Sequence, residues 1–202
     1  MRVYLLRHGK TVPDPQYDEV LRQPNPGLDA VGLRQAELLG RRLQGRGIEA
    51  VYSSDLKRAA ETARIVAGYV HADVVFRREL REIDMGDVHL RGWAAFPELH
   101  KEWLKHGADL PYPGGESGED VRRRAWPLLD ETVLRHGGDA ALVTHGGVIM
   151  VLLTACVGAG LQSRFRFAPP ANCGISTLLY DPDGGIFRVE KVNDAAHLDQ
   201  GP

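Results

Sequence analysis

Short apolar runs of strand length alternate along this chain with stretches whose apolar residues recur at helical spacing. The runs occupy residues 3–6, 50–52, 74–76, 140–144, 175–180 and 186–192. Between the first two, residues 30–43 place Leu33, Ala36, Leu39 and Leu43 on one face, with Asp29 as N-cap and Gly45 or Gly47 as the stop. Residues 54–69 repeat the pattern through Leu56, Ala60, Ala63 and Val66, with Ser54 and Asp55 in capping position. Residues 148–157 are apolar all round, as a helix buried in a core would be, and too few to span a bilayer. This alternation predicts an α/β protein: a three-layer α/β/α sandwich on a mostly parallel central sheet.

Two segments do not fit the scaffold. Residues 11–27 carry four prolines and read as a loop over the carboxyl edge of the strands. Residues 87–117 hold Trp93, Phe96, Trp103 and Tyr112 and read as a small helical cap, with Trp93 and Trp103 as its packing. Pro127 should kink or break the helix around it, because it removes a backbone donor. Arg122–Arg124 read as a solvated helix face, and residues 198–202 as a frayed end. With 202 residues, 43% of them hydrophobic, the chain is predicted to form one domain over residues 1–202.

Charge and cysteine content exclude several classes. Twenty-five Lys and Arg against 27 Asp and Glu leave a net charge of −2 with no basic tract, so neither nucleic acid nor a membrane surface is indicated as partner. Cys156 and Cys173 form no C-x-x-C pair and read as reduced thiols. No apolar segment resembles a signal peptide or a membrane span, which predicts a soluble, cytoplasmic protein. A homodimer stays open.

The chemistry sits at strand ends. The first run ends in Arg7-His8-Gly9 and the fourth in His145-Gly146-Gly147, each corner leading into helical sequence. In open α/β sheets reacting groups gather beyond the carboxyl ends of the strands, so two such corners can face one ligand. Arg58, in the first turns of a helix after another strand, adds a second guanidinium; such forks match phosphate oxygens two at a time. Glu82, with Asp84 as competitor, follows the third run and could donate a proton to a leaving alkoxide if burial and the phosphate charge raise its pKa. Taken singly, a histidine at a strand end is ordinarily a structural hydrogen-bonding residue. Taken together, the groups make a pocket for a tetrahedral dianion.

Those residues resemble the histidine phosphatase superfamily, in its phosphoglycerate-mutase-like branch. "LLRHGKT" resembles the nucleophile signature, "YSSDLKRAAETA" places Arg58 at the second phosphate arginine, "LREIDMG" places Glu82 at the proton donor, and "THGGV" places His145 at the second histidine. "NPGLDAVGLRQAELL", "PGGES", Asn172 and "VNDAAHL" are similar to other family landmarks. The resemblance implies His8, Glu82 and His145 as catalytic residues, with Arg7, Arg58, Thr11 and Gly146 on the phosphate. It implies a phosphohistidine on His8, no cofactor and no metal, and a small phosphomonoester as substrate. Lys10-Thr11-Val12-Pro13-Asp14 follows the RHG triplet where recycling mutases resemble Glu-Ser-x-Trp-Asn, which favours a hydrolase. The short "LREIDMGD" is similar to small bacterial phosphatases, including α-ribazole and broad-specificity types, although Val88-His89-Leu90 replaces their Trp-Glu-Gly. A phosphoglycerate mutase, a non-catalytic phosphate-binding module and a metallohydrolase are the competing readings.

Overall fold

The structure is a computed structural model that describes residues 1–13 and 16–199; the last three residues of the expected frayed end lie outside it. In chain order the elements are β1 (Arg2–Arg7), β2 (Tyr17–Asp18), β3 (Gln23–Pro24), α1 (Ala30–Leu43), β4 (Ile48–Ser53), α2 (Lys57–Val70) and β5 (Val74–Phe76). There follow α3 (Asp87–Arg91), α4 (Pro97–Leu104), α5 (Gly118–Arg135), β6 (Asp139–Thr144), α6 (Gly146–Cys156), β7 (Ile175–Asp181) and β8 (Ile186–Asp194). Each of the six apolar runs is a strand, in most cases extended by a residue or two at its ends.

The six long strands form one sheet in the order β5-β4-β6-β1-β7-β8. β5, β4, β6 and β1 are mutually parallel, and β7 runs antiparallel to both β1 and β8. Side chains alternate faces along a strand, and the sheet divides its core accordingly. Val3 and Leu5 join Ala140, Leu142 and Tyr52 in a cluster with the apolar sides of α5 and α6. Tyr4 and Leu6 join Ala141, Val143 and Val51 in a second cluster with α1 and α2. The sheet is thus flanked by helices on both sides, and α6 is apolar all round because it is enclosed.

This topology makes a switch point. The chain leaves β1 for α1 on one face and leaves the adjacent β6 for α6 on the other. A crevice opens between the carboxyl ends of two such strands, and ligands bind there.

Local expectations meet three corrections. Pro127 does not break its helix: α5 is continuous from Gly118 to Arg135. The proline lies on the exposed face, where water can satisfy the carbonyl four residues earlier. Residues 11–27 are not wholly loop, since Tyr17–Asp18 pairs antiparallel with Gln23–Pro24 and Thr11 bridges to Leu28. Ser54 and Asp55 do not cap α2, which starts after Leu56 with no side-chain cap; both have other partners. By contrast Asp29 caps α1, accepting from the Gly32 N–H at 2.7 Å.

Segment 87–117 folds as α3, a 3-10 turn at Trp93–Ala95, and α4, with Trp93, Trp103 and Tyr112 packed at ring distances of 4.8–5.7 Å. It is tied down by Asp109, which accepts from the Gly118 and Glu119 N–H groups at the start of α5 and pairs with the buried Arg164. Among the described residues no helix is long and apolar enough to cross a membrane.

Candidate active site

Strand register brings the two histidines together. Arg7 of β1 stands opposite Thr144 of β6, so the next residues, His8 and His145, leave the sheet side by side with ring centroids 5.1 Å apart. On the other side of β6, Ser53 stands opposite Val143, which brings Ser54 alongside His145. Three consecutive parallel strands therefore deliver one polar residue each to the same crevice.

The hydrogen bonds assign the imidazole protons. His8 Nδ1 lies 2.8 Å from the Gly9 carbonyl, which can only accept, so Nδ1 carries the proton and Nε2 presents a lone pair. Arg58 Nε points its N–H at that lone pair and at His145 Nδ1, 3.2 Å from each. With Nδ1 accepting, neutral His145 holds its proton on Nε2 and donates it to Ser54 Oγ at 2.9 Å. His145 and Ser54 are fully buried, and His8 and Arg58 nearly so.

Burial and the guanidinium charges keep both rings neutral. Burial, with Arg58 and then Arg7 beside it, pushes His8 down to about 3. His145 lies well below the ordinary histidine value for the same leading reason, burial, followed by Arg58. Arg58 and Arg7 are themselves lowered, chiefly by burial. Arg7 donates through Nη1 to the Pro170 carbonyl, while its buried Nε–H has no partner among the described residues. An unpaired buried donor costs about 1–3 kcal/mol, which an arriving oxyanion offsets. The cluster is built as a receptor for negative charge.

Glu82 reaches this cluster from the loop after β5. Its carboxylate accepts from its neighbour's N–H, Ile83, at 2.9 Å and from the Gly147 N–H in the first turn of α6 at 3.2 Å. It is half-buried, less enclosed than the sequence reading expects. Asp84 is turned to other uses, accepting from the Gly86 N–H at 2.7 Å and lying 3.6 Å from Arg22. Of the two candidate acids, Glu82 is the one joined to α6 beside His145.

Other predicted residues are placed less directly. Gly146 opens α6 with the Arg7 guanidinium against it: a Cβ built there would lie 3.6 Å from Arg7 Nε. Thr11 bridges to Leu28, and among the described residues no hydrogen bond joins its side chain to the cluster. Gly9 serves as a close approach, since a Cβ there would lie 2.6 Å from the Gly32 carbonyl at the start of α1.

Several residues work at the site without having been singled out for it. Ser54, expected as a helix cap, holds His145. Thr62 joins the Gly9 N–H to the Arg58 carbonyl at 3.0 and 2.8 Å, tying the His8-Gly9 corner to α2. Asn172 Nδ2 donates to the His8 carbonyl at 3.0 Å, and the Cys173 N–H donates to the Arg7 and His8 carbonyls. Arg124 is no solvated surface residue; it grips Glu116 at 2.7 and 2.9 Å and donates to the Glu79 and Glu82 carbonyls, bracing the Glu82 loop. Asp55 pairs with Arg81 at 2.6 Å through both oxygens. In advance Ser54 was legible only as a cap and Asn172 only as a family landmark; their partners lie 91 and 164 residues away.

Two histidines and two arginines at the switch point of an α/β sheet define a phosphate-handling class of protein. The chain belongs to the histidine phosphatase superfamily, branch 1, whose family model matches residues 3–195. A probable phosphoglycerate mutase GpmB from Yersinia pestis (strain Pestoides F) is 32% identical, over 98% of this chain and 95% of that protein. A mycobacterial glucosyl-3-phosphoglycerate phosphatase in complex with VO3 superposes with a TM-score of 0.82 at 28% identity, covering 96% of this chain and 99% of that one. YhfR of Bacillus stearothermophilus gives 0.79 at 29% identity, covering 98% and 99%.

Proposed function

We propose that this chain is a metal-independent phosphomonoesterase that hydrolyses a small phosphorylated metabolite through a phosphohistidine on His8. The observation that carries the reading is the His8 tautomer: Nδ1–H is committed to the Gly9 carbonyl, and the bare Nε2 faces the Arg58 N–H. In the first step the Nε2 lone pair attacks phosphorus in line and the bond to the substrate oxygen breaks. Glu82 gives that oxygen its proton, so the alcohol leaves neutral. Arg7 and Arg58, with the Gly146 N–H and Thr11, hold the non-bridging oxygens as charge redistributes, and His145 joins them once a proton brought by the substrate monoanion occupies its Nδ1. In the second step Glu82, now a carboxylate, takes a proton from water as the water attacks the phosphohistidine, releasing phosphate.

Brief incubation with radiolabelled substrate and quenching tests this reading. Acid-labile label on the protein is expected, with label and turnover both lost in His8→Ala and undiminished by EDTA. Label on a hydroxyl residue, or turnover in His8→Ala, would overturn it.

The mutase reading has one specific support, the 32% identity to proteins named as probable phosphoglycerate mutases. Against it stands Lys10-Thr11-Val12-Pro13-Asp14 behind the RHG triplet. Transfer between glycerate hydroxyls stimulated by bisphosphoglycerate identifies a mutase; release of inorganic phosphate identifies a hydrolase.

A further inference from the structure

The segment "VNDAAHL", residues 192–198, begins where β8 stops being regular. Thr177 of β7 stands opposite Lys191 of β8, yet Ile175 stands opposite Asp194, so β8 carries an extra residue in between. A bulge of this kind bends a strand and re-aims a side chain. Asn193 occupies it with a φ of 52°, in the left-handed region that asparagine enters more readily than most residues. Its N–H donates to Ser176 Oγ at 3.0 Å, and its side chain is turned back toward the residues that precede β7.

There the Ala171 N–H donates to Asn193 Oδ1 at 2.8 Å. A Cβ built on Gly174 would lie 2.5 Å from the same oxygen, so glycine at that position makes room for it. Ala171 belongs to a turn closed by the Gly174 N–H, which donates to the Ala171 carbonyl at 2.9 Å. The outward groups of this turn all go to β1 and its end. The Pro170 carbonyl accepts from Arg7 Nη1, and the Gly174 carbonyl accepts from the Arg7 N–H at 3.2 Å. Asn172 Nδ2 and the Cys173 N–H take the carbonyls of His8 and Arg7. One short turn thus holds the Arg7 guanidinium and the His8 backbone, and Asn193 fixes that turn from β8.

We propose that Asn193 is a positioning residue for phosphoryl transfer. It touches no reacting atom and acts through residues 170–174, which set the Arg7 fork and the His8 corner relative to one another. The inference rests on the phosphomonoesterase reading above. Cys173 in the turn has a φ of 56°, a conformation that a residue with a side chain keeps only when its surroundings impose it. Without the Asn193 acceptor the turn relaxes, and the guanidinium and the imidazole shift apart. A misplacement of about 1 Å at reacting groups costs about 10²-fold in rate.

Two substitutions separate the oxygen from the backbone. Asn193→Gly keeps the left-handed conformation and removes the acceptor, whereas Asn193→Asp keeps an acceptor in place. With p-nitrophenyl phosphate, Asn193→Gly should lower kcat about tenfold to a hundredfold, and Asn193→Asp should recover most of that loss. Leu198→Ala, a truncation in the packing cluster that holds Cys173 and Ile175, should lower the melting temperature while kcat, measured below the transition, stays near wild type. Because Asn193 and Asn172 act through one turn, Asn193→Gly with Asn172→Ala should lose much less than the product of the two single losses. Wild-type kcat in Asn193→Gly, equal losses in Asn193→Asp or Leu198→Ala, or losses that multiply would overturn the proposal, while acid-labile label on His8 upholds the phosphatase reading. Absence of that label in the wild type would instead overturn the phosphatase reading. Calorimetric binding of orthovanadate then still reads the Arg7 arm: affinity about tenfold weaker in Asn193→Gly and retained in Asn193→Asp supports the positioning role, and equal affinity in all three proteins overturns it.

Discussion

The Glu82 carboxylate occupies the space where Gly147 lacks a side chain: a Cβ built on Gly147 would lie 2.5 Å from Glu82 Oε1. The obstructed atom is the tip of a flexible side chain, so the fold can absorb a methyl group there while the Glu82 carboxylate cannot keep its place. Gly147→Ala is expected to fold with a near-native melting curve and to lose roughly 10²-fold in kcat. Gly146→Ala, whose Cβ would meet only ordinary contacts, should cost at least about tenfold less by the same displacement argument. Steady-state kinetics of the pair checks this; equal losses would detach Glu82 from the chemistry.

Ser54 should matter through His145. Removing its hydroxyl leaves the fully buried Nε2–H without an acceptor, at a cost of about 1–3 kcal/mol, and frees the ring to turn. Ser54→Ala is expected to lower kcat about tenfold to a hundredfold with a smaller change in KM. Ser54→Thr, which keeps the oxygen, should recover part of the loss if the ring position is what counts.

The neutral histidines make the fold acid-sensitive in a defined window. An unfolded histidine takes up its proton near pH 6.5, whereas folded His8 does so only near 3. Between those values the unfolded chain binds more protons, so stability falls as pH drops from 6.5 toward 3 and is fully present above 6.5. His145, also lowered, adds in the same direction. Urea midpoints across pH 4–7 should show this fall, and His8→Asn should reduce its slope by up to about 1.4 kcal/mol per pH unit. An unchanged slope would mean that His8 titrates normally.

Asp109 is the clamp of the 87–117 segment. Asp109→Ala strips two N–H groups at the start of α5 of their acceptor and leaves Arg164, 3% exposed, without its counter-charge. Breaking a buried pair from one side costs about 3–5 kcal/mol. Denaturant unfolding measures it, and a loss below about 1 kcal/mol would place the pair among ordinary surface bridges.

These arrangements differ in how far the sequence discloses them. β1 and β6 are legible because a buried parallel strand is a continuous apolar run, and the two His-Gly corners are legible because each run stops abruptly on a polar pair. That Arg7 would face Thr144, and so set the histidines abreast, is a matter of register between strands more than 130 residues apart; no local pattern carries it. Ser54 was hidden for a different reason. A serine just ahead of a helix is a cap by local rules, and only the neighbouring strand supplies the histidine that claims its hydroxyl. Arg124 sits in a run of three arginines that reads as wet surface, until Glu116 and two loop carbonyls arrive from outside its helix.

The turn at Asn172 and Cys173 clasps the carbonyls of Arg7 and His8, a link between residues 164 positions apart. During synthesis at about 5–20 residues per second, His8 therefore exists for about 10–30 s before the part of the chain that seats it has been made. A nascent chain ending short of that turn carries Arg7, Arg58 and His145 and still lacks a seated His8. On the proposed mechanism, the His8 imidazole is in effect kept unarmed until Asn172 and Cys173 have been made.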